Sequence, residues 1–116
     1  MSDSINAQSK LALMIGMCAR ARKIVTGTDQ ICLALAEKKK TNKPILVLEA
    51  SDVSENTHKR LSDKCSFYGV KKCVVPLTAS ELAHSIGKRG SVVAAVAVTD
   101  EQMSRAVSPY LPESQN

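Results

Sequence analysis

Hydrophobic positions recur along this chain in two rhythms, one helical and one extended. Leu11, Met14, Ile15 and Cys18 fall at offsets 0, 3, 4 and 7, one face of a helix, while Gln8, Ser9 and Lys10 begin its polar side. The spacing predicts a first helix over about residues 5–21, after a polar lead at 1–6. Arg20, Arg22 and Lys23 at its end suit the C-terminal dipole. Ile24-Val25-Thr26 is a short extended piece that runs into Gly27. A second helix is predicted from about Thr28 to Lys38, burying Ile31 and Leu35 with Ala34. Lys38, Lys39, Lys40 and Lys43 read as a solvated basic run behind it.

Pro44-Ile45-Leu46-Val47-Leu48 is a nearly continuous apolar run, the pattern of a strand buried on both faces. Pro44 fits only its first position. Glu49 to Val53 is a loop, and Ser54 caps a helix over about residues 55–68. Thr57, Leu61, Cys65 and Tyr68 form its inward stripe; His58, Lys59, Arg60, Asp63 and Lys64 face water; Gly69 stops it. Cys73-Val74-Val75 is a further strand. Thr78 and Glu81 make a capping box, stapled by Leu77 and Leu82, for a helix that ends near Ile86 at Gly87. Gly87-Lys88-Arg89-Gly90-Ser91 is a basic loop, and Val92 to Val98 a strand. Thr99 and Gln102 repeat the capping box, with a Val98–Met103 staple, for a helix that ends before Pro109; the tail to Asn116 is polar and frayed. Alternating helices and short strands predict one α/β domain, a small sheet between helices with crossovers of the usual hand.

Composition sharpens this picture. At 116 residues with 44% apolar content the chain supports a single core, and with 3% aromatics that core is aliphatic. So few rings argue against a single-strand stacking platform. Sixteen basic residues against eleven acidic give a net charge of +5, which favours an anionic partner. Cys18, Cys32, Cys65 and Cys73 form no C-x-x-C pair, and His58 and His84 fit no ligand spacing, so the cysteines read as reduced, buried hydrophobes and no metal or other cofactor is expected. The start, Met1-Ser2-Asp3-Ser4, does not resemble a secretory signal, and the longest apolar run is too short for a bilayer; a cytoplasmic protein is expected. No nucleotide-binding glycine pattern or nucleophile elbow suggests an enzyme.

Candidate chemistry gathers where Lys23 and Thr26 lead into Gly27-Thr28-Asp29-Gln30-Ile31-Cys32-Leu33. A glycine turn there opens a helix, leaving backbone N–H groups unpaired and attractive to phosphate. Thr28, Asp29 and Gln30 are short polar side chains able to meet base edges. The plainer reading is a capped helix with Asp29 complementing the dipole.

The order of elements, with Ala21-Arg22-Lys23-Ile24-Val25-Thr26-Gly27, Asp52-Val53-Ser54-Glu55-Asn56-Thr57, Asp63-Lys64-Cys65, Glu81-Leu82, Ile86-Gly87-Lys88 and Val96-Ala97-Val98-Thr99-Asp100, resembles the L-seven-Ae/L-thirty-e ribosomal protein family, in its small bacterial YlxQ-like branch. The likeness extends over most of residues 8–107. It implies a three-layer α/β/α sandwich with a small mixed four-stranded sheet, and a single non-catalytic RNA-binding domain spanning residues 1–116. The implied partner is structured RNA of the kink-turn kind, ribosomal or otherwise. In the family the glycine turn and the start of the second helix sit against the kink, which assigns RNA contacts to Lys23, Gly27, Thr28, Asp29, Gln30 and Leu33. The family pattern there is Gly-Thr-Asn-Glu followed by Lys; this chain carries Asp29 for Asn, Gln30 for Glu and Leu33 for Lys. Ser51 stands where the family often has Glu. The loop after the fourth helix, apolar in many relatives, covers an unstacked nucleotide; here it is Lys88, Arg89, Gly90 and Ser91, suited to phosphate. The alternative expectation is a protein-interaction module on the same fold, its RNA face weakened by Asp29 and Leu33.

Overall fold

A computed structural model describes residues 3–38 and 41–112, with side chains from residue 8 onward. The predicted polar lead up to residue 2, Lys39 and Lys40 of the basic run, and the tail at 113–116 lie outside the described residues.

The chain runs α1 (Asp3–Arg20), β1 (Ile24–Thr26), α2 (Thr28–Ala36), β2 (Leu46–Glu49), α3 (Glu55–Tyr68), β3 (Lys71–Val74), α4 (Ala79–Ser85), β4 (Ala95–Val98) and α5 (Glu101–Val107), with a short 3-10 turn at Ser108–Tyr110. The sheet order is β1-β4-β2-β3. β4 is antiparallel to both neighbours, and β2 and β3 are parallel, so α3 is the crossover between them. This is the mixed four-stranded sheet expected from the resemblance.

Side-chain alternation assigns the layers. Leu46, Leu48, Val96 and Val98 point to one face, where they meet Leu11, Ile15 and Cys18 of α1, Leu82 and Ala83 of α4 and Val107 of α5. Val47, Ala95 and Ala97 point to the other, against Ile31 and Leu35 of α2 and Leu61 and Cys65 of α3. The two alanines let α2 and α3 lie close to the sheet. Glu49 continues this second face and is buried beneath α3. All four cysteines are free and buried. Burial pushes the Cys65 thiol up to about 11, and raises Cys18 and Cys73 as well.

Several boundaries differ from the sequence pattern, each for a tertiary reason. The last strand begins at Ala95 rather than Val92, because Val93 N–H leaves the ladder and donates to Ala79 O (3.0 Å) at the start of α4. The cap of α5 is Asp100, whose side chain accepts from Met103 N (3.0 Å), in place of the Thr99–Gln102 box. Thr99, just past the end of β4, donates its N–H to Lys23 O (2.9 Å), which holds its backbone before the helix starts. α2 ends at Ala36, and Lys43, predicted to be solvated, is half-buried and donates to Leu35 O (3.1 Å) and to Glu37 O, closing the helix end. Tyr68, predicted to face inward, is exposed beside Phe67. The caps at Ser54 and Thr78 stand as predicted, the second as a full capping box.

Candidate nucleic-acid interface

Gly27 makes the turn into α2 with φ 91° and ψ 149°, a conformation essentially restricted to glycine. Its N–H donates to Ala95 O (3.0 Å) and its carbonyl accepts from Ile31 N (2.9 Å). The N–H groups of Thr28, Asp29 and Gln30 precede that first helical bond, and no side chain caps them. Thr28 is half-buried, while Asp29 and Gln30 are exposed. Leu33 projects into solvent, 60% exposed.

The bond from Gly27 to Ala95 ties this turn to the segment that enters β4. Ala94 O accepts from Ala50 N (2.8 Å), Ser51 N donates to Leu77 O (2.8 Å), and Ala79 N donates to Asp52 Oδ1 (2.7 Å). The glycine turn, the loop after β2, the opening of α4 and the entry to β4 therefore meet at one end of the sheet. Lys88, Arg89, Gly90 and Ser91 form an exposed tight turn, closed by Ser91 N donating to Lys88 O (3.1 Å), with Gly90 at φ 86°. The turn stands off from that end by the length of α4, roughly 10 Å. Val92 bridges the gap and is 74% exposed. Lys23 is exposed, but its backbone stands at the opposite end of β1 from Gly27.

Two features of this region carry no sequence signal. Arg60 of α3 reaches across to α2, its Nη1 donating to Asp29 Oδ1 at 2.7 Å. The hydrogen bond it donates to Asp29 raises the already high pKa of the guanidinium, which stays charged. The second is a trio at α3 in which Glu49 and Lys72 are buried and His58 is half-exposed. Glu49 accepts from Lys72 Nζ at Oε1 (2.7 Å) and meets His58 Nδ1 at Oε2 (2.5 Å), so both carboxylate oxygens are engaged. His58 was expected to be a solvated side chain; its outer half is exposed, yet its Nδ1 is committed to Glu49. Among the described residues no group of His, Cys, Asp and Glu side chains is arranged to hold a metal ion.

The chain is 40% identical over 88 residues to the RNA-binding protein YlxQ of Bacillus subtilis (strain 168), covering 76% of this chain and 81% of that protein. It belongs to the YlxQ family. A second YlxQ, named an RNA-binding protein in Enterococcus faecium, is 36% identical over 81 residues, or 70% of this chain and 74% of its relative. No protein-family model matches the chain. Among solved structures, a Bacillus halodurans protein of unknown function superposes with a TM-score of 0.77 at 31% identity, over 90% of this chain and 98% of that one. The Giardia lamblia 15.5kD RNA binding protein superposes with a TM-score of 0.68 at 15% identity, over 90% and 84% of the two chains. The chain thus shares the L-seven-Ae fold.

Proposed function

We propose that this chain is a non-catalytic, cytoplasmic RNA-binding protein that recognises kink-turn-like structured RNA in association with the ribosome. The reading is supported by YlxQ relatives named as RNA-binding proteins and by the fold shared with an RNA-binding protein. The observation that carries it is the bond from Gly27 N to Ala95 O, which sets the uncapped start of α2 at the same sheet end as the segment between α4 and β4.

The parts of that end, and the basic turn standing off from it, each have a task in the proposed complex. The free N–H groups of Thr28, Asp29 and Gln30 face phosphate or a base acceptor. The Gln30 amide, with donor and acceptor side by side, reads a base edge. Lys88 and Arg89 hold the backbone across the kink. Val92, which the strand pattern had hidden, supplies the apolar cover for an unstacked nucleotide that the basic turn itself lacks. Leu33 replaces a charged contact with an apolar one, so affinity rests more on the second segment.

The test is a fluorescence titration of the full chain with a bulged, kink-forming RNA duplex and with a straight duplex of equal length at moderate salt. Tighter binding to the kinked duplex supports the reading, and equal affinity for both contradicts kink recognition. The protein-interaction reading draws on Phe67 and Tyr68, which are exposed at 80% and 38% at the end of α3. It is favoured when neither duplex binds.

A further inference from the structure

From the contact between α3 and α2 we infer that Arg60 is a positioning residue for RNA binding, holding Asp29 as a charge-compensated hydrogen-bond acceptor at the opening of α2. The inference rests on the RNA-binding reading above and adds a residue from outside the two segments that reading uses.

Asp29 stands within the first turn of α2, beside the N–H groups offered to RNA. An uncompensated carboxylate there opposes the helix dipole's pull on phosphate, and at physiological salt its field extends about 8 Å. Arg60 places a permanent positive charge 2.7 Å from Oδ1. The pair presents no net charge to an approaching backbone. Among the described residues Asp29 accepts a side-chain hydrogen bond only at Oδ1, which leaves Oδ2 free to accept from a base amino or imino group. A guanidinium carries five donors, and the N–H groups not turned to Asp29 remain available to a neighbouring phosphate.

The solvent exposure of the pair separates this role from a structural one. The Asp29 side chain is 81% exposed and that of Arg60 48%, and ion pairs so open to water contribute little to stability. Both helices are already held to the sheet by Ile31, Leu35, Leu61 and Cys65. The Arg60–Asp29 contact therefore fixes where charge sits on the surface more than it fixes the fold.

The experiment measures binding of the bulged RNA duplex by four full-length proteins: the unmodified chain, Arg60→Ala, Asp29→Asn and the double variant, with Arg60→Lys as the conservative control. Arg60→Ala is expected to weaken binding at least about tenfold, the size of one charged contact. In the Asp29→Asn background the same change is expected to cost less than about threefold, because no bare carboxylate is left behind. Arg60→Lys restores part of the affinity, and all variants keep the parent melting temperature. An unchanged affinity for Arg60→Ala overturns the inference while leaving RNA binding itself in place. An equal loss in both backgrounds also overturns it, since Arg60 then acts without Asp29. If the unmodified chain binds no RNA, the functional reading fails and the inference falls with it.

Discussion

Lys72 Nζ lies 2.7 Å from Oε1 of Glu49, inside the layer where α3 covers the sheet. The two residues sit on adjacent parallel strands, 8% and 1% exposed. A buried pair of this kind tolerates joint replacement by apolar groups far better than loss of one member. Lys72→Met alone leaves the buried carboxylate with only the half-exposed His58 as a partner and is expected to cost about 3–5 kcal/mol. Glu49→Leu combined with Lys72→Met is expected to fall within about 1 kcal/mol of the parent or above it. Urea unfolding of the three proteins checks this, and equal losses in the single and double variants would contradict it.

Gly16 shows where local propensity and packing give opposite signs. Replacing a mid-helix glycine by alanine ordinarily stabilises by about 1 kcal/mol. Here a Cβ at Gly16 would stand 2.8 Å from the carbonyl oxygen of Ser85, the backbone of α4. Gly16→Ala is therefore expected to destabilise by about 1–3 kcal/mol through forced separation of α1 from α4. A thermal melt showing a gain instead would mean that the two helices yield freely.

The Cys65 thiol gives a pH signature. Its folded value of about 11 lies above the ordinary 9.0, so the native state holds the proton more tightly than the unfolded chain. The stabilisation is complete below pH 9 and is lost as pH rises toward about 11. Stability measured at intervals across that window is expected to fall more gently for Cys65→Ala than for the parent. Parallel curves would show that the thiol does not contribute.

How much of this was legible in the sequence depended on the range of the interaction involved. The Ser54 cap and the Thr78–Glu81 box are contacts over three residues, and both were readable. Thr99 and Asp100 are both good caps, and the bond from Thr99 N to Lys23 O, a contact far apart in sequence, favours the later one. Val92 extends a β-branched run, but β2 pairs with β4 only as far as Glu49 opposite Ala95, and Val93 N–H turns to Ala79 O on α4. The glycine turn was visible because φ 91° selects its residue type. Arg60 was not, because its partner Asp29 is 31 positions away and on a different helix. The trio around Glu49 was hidden for the same reason: a strand end, a helix and a second strand meet only in the folded chain.

Charge and apolar cover in the segment between α4 and β4 are separable by salt. Lys88→Glu with Arg89→Glu is expected to weaken binding to the kinked duplex and to lower the salt slope by about two. Val92→Ser is expected to weaken binding with the slope unchanged, since apolar contact releases no counterions. Titrations at several salt concentrations separate the two. A lower slope for Val92→Ser would mean that this side chain acts by moving the basic turn.

The most direct measurement is an amide shift map of the isotope-labelled chain as the kinked RNA duplex is added. The shifts are expected to concentrate at Gly27 to Leu33 and at Lys88 to Val92, with Arg60 following Asp29. Shifts gathered instead at Phe67 to Lys71, with the glycine turn unmoved, would contradict that expectation.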